Sequence, residues 1–171
     1  MVKQRVFTAF VIAIVLAWIF KQVHLGEVDY FQKFLVLLLG FSALEWAKLS
    51  HVSHQFTRGL YAVINILILY FCVSYFQLID MTDQSVLLVT HFFEISVSIW
   101  AIFLLWVITY PKSTLVWRST FVRLIMGIVT MVSFYLGLFF LVNIEHGIYL
   151  ISYLICLVAI SDTGAFFVGR S

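Results

Sequence analysis

The chain has 171 residues, of which 64% are hydrophobic and 11% are charged, with 18 Phe and 5 Trp. A soluble domain carries about 25% charged residues, so this composition excludes a water-soluble globule and makes lipid the solvent. The net charge of +2 excludes little, but the placement of the charges along the chain is informative.

The apolar runs are continuous and lack the alternating segments of about ten residues that a barrel strand needs. They therefore predict an all-α, polytopic membrane protein with about six transmembrane helices. A single Pro and 8 Gly leave little room for long linkers, and no repeat or low-complexity tract appears. One membrane domain over residues 1–171 is the expectation. Lys3 and Arg5 precede a first apolar run, Val6–Phe20. The residues after it, Lys21-Gln22-Val23-His24, offer no small-x-small cleavage site, so an uncleaved span is expected rather than a signal peptide. The second span is expected at Phe31–Ala47, the third at Leu60–Ile79 and the fourth from about Phe92 to Tyr110, where Pro111 stops it. Leu124–Val142 is the fifth. After a tight turn at Glu145-His146, a sixth runs from about Gly147 into the last residues of the sequence.

Numbering the connections alternately sorts the basic residues. Lys3, Arg5, Lys48, Arg58, Lys112, Arg118, Arg123 and Arg170 fall on one side, and only Lys21 and Lys33 on the other. Glu27, Asp29, Asp80, Asp83 and Glu145 accompany the second group. Because cytoplasmic loops are enriched in Lys and Arg, the N-terminus, the Pro111–Arg123 loop and Asp162 are expected on the cytoplasmic side. Arg118 and Arg123 could hold a lipid headgroup or anchor the topology, and anchoring is preferred because this bias already accounts for them.

Several local patterns have ordinary explanations. Cys72 and Cys156 both lie in apolar runs with no metal or redox spacing. His51-x-x-His54 lacks an accompanying Cys or acid in zinc-like spacing and reads as a polar loop. Glu45 and Lys48 are i,i+3 neighbours on a helix, with Trp46 at the interface. Glu94 is expected as an interfacial residue at the outer end of the fourth span. Gly164-x-x-x-x-Gly169-Arg170-Ser171 approaches a P-loop, but the required strand-to-helix context is missing.

Asp162 is different. It follows a charge-free run, Gly147–Ile160, and is flanked by Ser161 and Thr163 with Gly164 beyond. A helix starting at Gly147 reaches Ser161 after roughly 22 Å, at about 1.5 Å per residue. This is less than a ~30 Å hydrocarbon core, and acids at such depth mark ion, proton or substrate sites. The alternative is a helix that ends there, with Ser161 or Asp162 as a cap.

The stretch Ser161-Asp162-Thr163-Gly164-Ala165-Phe166-Phe167-Val168-Gly169-Arg170 resembles a motif of the phosphatidate cytidylyltransferases, integral membrane enzymes that join CTP to phosphatidic acid. Glu45-Trp46 near the end of the second span is also similar to that family. The resemblance implies a polytopic bacterial inner-membrane enzyme of phospholipid synthesis that needs Mg2+. Its partners would be CTP, phosphatidic acid and the bilayer, without nucleic acid, and a homo-oligomer is compatible with it. It further implies Asp162 as the catalytic metal carboxylate, with Ser161, Thr163, Gly164 and Arg170 contacting substrate phosphates. The family's later signature, His-Gly-Gly…Asp-Arg…Asp, does not occur before Ser171. The expectation is thus an N-terminal part of such an enzyme, catalytically incomplete alone. Two rival classes remain: a transporter or ion-pathway protein would also carry an intramembrane acid, but usually shows paired repeats or several buried charges. A non-catalytic membrane protein would need no acid at position 162. A CDP-alcohol phosphatidyltransferase would need an Asp-Gly…Ala-Arg…Asp…Asp cluster, which is not found.

Overall fold

A computed structural model of the chain describes residues 14–79, 82–110, 114 and 118–169. These form α1 (Ile14–His24), α2 (Val28–Leu49), α3 (Gln55–Tyr75), α4 (Asp83–Ile108), α5 (Thr120–Asn143) and α6 (Gly147–Val168), with no strand among the described residues. Each expected span is met by a helix. α3, α4, α5 and α6 are long and apolar enough to cross a membrane. The described part of α1 is shorter, and the start of the first expected run lies outside the described residues. α2 spans 22 residues, about 33 Å. Its charges sit in pairs at its two ends: Asp29–Lys33 at 3.9 Å and Glu45–Lys48 at 3.7 Å.

The helix ends differ from the hydropathy boundaries, because local hydrogen bonding sets them. α4 begins at Asp83 rather than near Phe92. Thr82 and Ser85 form a reciprocal capping box there, each side chain bonding the other's backbone N–H, which satisfies two otherwise orphaned donors. Glu94 consequently lies well inside α4, not at the start of a helix; it is exposed, and its carboxylate is 3.0 Å from His91 Nδ1. α3 starts and stops about a turn earlier than its charge-free run. Gln77 adopts φ 50°, and Leu78 N–H and Gln77 N–H bond the carbonyls of Val73 and Ser74. This is a Schellman closure, sealed by Leu78, which is fully buried. α2 ends the same way: Val52 N–H bonds Ala47 O and His51 N–H bonds Lys48 O. His51 occupies the left-handed position, φ 65°, that glycine usually takes.

The helices fall into two compact units, with boundaries at Leu35 and Phe139. In the unit of residues 35–139, α2 presents Leu35, Leu39, Ala43 and Ala47 at four-residue spacing, each 2% exposed or less. α3 presents Tyr61, Ala62, Asn65, Leu69 and Val73 in the same rhythm. Four-residue ridges of this kind interlock between helices. α5 is the best-buried span and carries Met126, Met131, Val132, Tyr135, Leu136 and Phe139 inward. Polar groups tie it to its neighbours. Ser42 and Tyr135 hydroxyls meet at 2.9 Å, and Ser133 donates to Ser96 Oγ at 3.2 Å. The other unit contains α1, the start of α2, the end of α5 and α6, with Trp18 packed edge-on against Tyr30 and Phe20 near Phe31. α6 buries little apart from Gly147 and Ile151 and exposes most of its apolar surface, as a lipid-facing helix would.

Gly127 is the tightest point in the larger unit. A Cβ there would collide with the Trp46 indole and the Tyr61 hydroxyl. Gly127→Ala should therefore overpack the junction and destabilise the protein by about 1–3 kcal/mol. Gly59→Ala, on α3 with open space around it, should be neutral or stabilising by up to ~1 kcal/mol. Thermal unfolding in detergent measures both; equal midpoints for the two variants would contradict the packing described.

Candidate functional site

α6 owes its start to a tight turn. His146 takes φ 61°, and Gly147 N–H bonds Ile144 O at 3.0 Å. Gly147 lies so close over the Leu141 carbonyl that no side chain fits. From there the helix runs without a break through Ser161, Asp162 and Thr163 to Val168. Helical hydrogen bonding continues past the motif, since nothing between Ser161 and Val168 removes a backbone donor, and the lone Gly164 costs only ~1 kcal/mol. The capping alternative for Asp162 is thereby excluded. The carboxylate sits in a helix interior, roughly 22 Å along an element about 33 Å long.

Ser161, Asp162, Thr163 and Gly164 are all exposed. Successive helical residues are turned by about 100°, so the two hydroxyls flank the carboxylate to either side rather than sharing its face. Thr163 Oγ1 donates to Ala159 O at 2.7 Å. Gly164 has nothing within 4 Å of where a Cβ would stand, and it lines an open, shallow groove with Ala159, Ile160 and Thr163. The Asp162 side chain forms no salt bridge or hydrogen bond among the described residues. Nor is there among them a cluster of three or more His, Cys, Asp and Glu side chains that would enclose a metal. A lone exposed carboxylate beside two hydroxyls suits a hard cation that keeps most of its waters and takes phosphate oxygens as further ligands. It does not form a closed cage. Arg170 lies outside the described residues.

A second polar assembly was only partly visible in the sequence. Trp46 Nε1 donates to Arg123 O at 2.9 Å, and Tyr61 Oη donates to Leu124 O at 2.9 Å. The first turn of α5 is thus held by an aromatic donor from α2 and another from α3. Asn65, fully buried, donates to Tyr61 O at 2.9 Å and leaves its own Oδ1 without a partner. The Arg123 guanidinium reaches His51 Nδ1 at 3.1 Å and donates to Thr120 Oγ1 at 3.1 Å. Arginine has no acceptor, so His51 Nδ1 serves as the acceptor for Arg123. Trp46 stood out in the sequence as half of Glu45-Trp46, but Tyr61, Asn65 and Thr120 carried no signal. Gly127 in the middle of an apolar run was the available hint, since small residues mark close helix approach in membranes.

The model of the cytidylyltransferase family matches residues 3–171. The chain is 30% identical, over its whole length, to a phosphatidate cytidylyltransferase of Pseudomonas aeruginosa, and 31% identical to one of Haemophilus influenzae. It spans 58% and 61% of those two proteins. No solved structure matches it. With the family's model covering nearly every residue and the Ser161–Gly169 motif built into a membrane-length helix, the chain belongs to the cytidylyltransferase family.

Proposed function

We propose that the chain is part of an enzyme that transfers a cytidylyl group from CTP to phosphatidic acid, releasing pyrophosphate and leaving CDP-diacylglycerol in the bilayer. The observation that carries this reading is Asp162, a carboxylate in the interior of a membrane-length helix with no partner among the described residues. An isolated acid at such depth costs several kcal/mol or more, which a functional role accounts for and a structural one does not.

The reacting groups are all anionic. A phosphatidate oxygen must approach the α-phosphorus of CTP while pyrophosphate departs in line, so catalysis rests on positioning and on spreading charge. A magnesium ion held by Asp162 would supply that neutralisation. Ser161 and Thr163 would donate to phosphate oxygens, Thr163 by releasing its bond to Ala159 O. Gly164 leaves the helix surface open for a phosphate to lie against the backbone. Arg170 would pair with a further phosphate. The family relationship and the motif support these roles. One carboxylate cannot by itself fix a cation and a triphosphate in register, so a polypeptide of these 171 residues alone should show no CTP- and magnesium-dependent turnover of phosphatidic acid above a protein-free control.

In an active enzyme containing this chain, Asp162→Asn keeps the shape but removes the charge. The catalytic constant should fall about a hundredfold or more while the membrane-inserted amount stays constant. An acid that merely faces lipid or solvent would give normal turnover, and that result would falsify the assignment.

The basic-residue asymmetry supports a cytoplasmic Asp162. In a background with Cys72 and Cys156 replaced by Ala, a cysteine introduced at Gln55 should react only with membrane-permeant reagents in intact cells, whereas one at Thr82 should react with impermeant reagents. The opposite pattern would reverse the orientation.

A further inference from the structure

In the larger unit, the Arg123 guanidinium forms no ion pair with another described residue. Arg123 is half-buried, and its Nε is shielded from solvent without any acceptor. Two of the five N–H donors of a guanidinium are taken by neutral groups, His51 Nδ1 and Thr120 Oγ1. Each ion pair among the described residues uses Lys or His, and none includes Arg123. A guanidinium stays charged at any physiological pH. Leaving its shielded Nε–H unmade is expensive, and the charge itself has no counterion among the described residues.

The surroundings hold the side chain in place. The Trp46 and Tyr61 bonds pin the backbone carbonyls at positions 123 and 124. His51 keeps a left-handed backbone that glycine would adopt more easily, while presenting its imidazole to the guanidinium. A residue that only anchored the topology would snorkel freely into headgroups and would need none of these contacts. The free donors suit an anion with several oxygens, and planar forked recognition of phosphate is what arginine does best.

We propose that Arg123, oriented by His51 and Thr120, binds a phosphate group where α2 ends and α3 and α5 begin. The phosphate comes either from a lipid headgroup or from a soluble phosphate ester. The inference does not depend on Asp162 or on turnover, because its readout is binding.

The test uses the full chain in phosphatidylcholine nanodiscs. One arm measures retention of spin-labelled phosphatidic acid by electron paramagnetic resonance. The other measures metal-free CTP by equilibrium dialysis. Arg123→Gln should weaken binding at least about tenfold in one arm, and that arm identifies the source of the phosphate. Arg123→Lys should lose less, since it keeps the charge but not the fork. His51→Gly suits the backbone at this position, so it should weaken binding several-fold without lowering the unfolding temperature. It keeps the proposal testable if Arg123→Gln fails to fold. Arg118→Gln should change neither arm. Equal losses in Arg118→Gln and Arg123→Gln would reduce Arg123 to general attraction for anionic ligands and overturn the site. Absence of binding in both arms, or unchanged binding in Arg123→Gln and His51→Gly, would overturn it as well.

Discussion

The larger unit depends on how closely α2 and α3 approach the first turns of α5. Gly127 leaves the surface of α5 bare, and the Trp46 indole and Tyr61 phenol lie against it. Their polar atoms donate to the carbonyls of Arg123 and Leu124, each of which has a second lone pair to offer beyond the helix bond. In lipid there is no hydrophobic drive between helices; close packing and interhelical hydrogen bonds replace it. Each such bond contributes only ~0.6 kcal/mol on average, but here two of them share one glycine-lined contact. Ser42–Tyr135 and Ser133–Ser96 continue the same scheme further along α5, which explains why α5 is the most buried span.

That scheme fixes the direction of the side chains near Arg123. Once α2 and α3 are docked on α5, the Schellman turn at the end of α2 delivers His51 to the guanidinium. Arg58 Nε donates to Val52 O at 2.7 Å and stiffens the same connection from the α3 side. The left-handed conformation of His51 costs about 1–2 kcal/mol relative to an ordinary backbone geometry. It persists because hydrogen bonds on both sides of the turn over-determine it.

The sequence made the fold class legible because the solvent imposes it: in hydrocarbon, every backbone donor must be satisfied within the segment, and long apolar runs leave only helices. The helix ends were less legible. Hydropathy reports where lipid lies, whereas the Thr82–Ser85 box and the Gln77 turn report where backbone hydrogen bonds close. Asp162 could be singled out because one charge interrupts an apolar run. The Trp46–Tyr61–Gly127 contact could not, since indole, phenol and glycine are all ordinary in a membrane helix and only their meeting in space is informative. Arg123 was legible as a charge and illegible as a site. The positive-inside bias explains any arginine in that loop equally well, and only the bonds to His51 and Thr120 separate it from Arg118.

Asp162 and Arg123 are complementary in their chemistry. The chain settles many of its polar groups locally: hydroxyls bond carbonyls a turn away, and Asp29, Glu45 and Glu145 sit beside Lys or His. The Asp162 carboxylate and the Arg123 guanidinium are among the charges that form no ion pair with another described residue. A charge within a membrane protein is expensive unless something external completes it. A carboxylate calls for a cation and a guanidinium for an oxyanion. In the reaction proposed above, the first would hold a metal ion that screens phosphates from one another, and the second would hold a phosphate. What distinguishes the two from the other unpaired charges is local to each: Asp162 lies inside a membrane-length helix, and Arg123 has a shielded Nε with no acceptor.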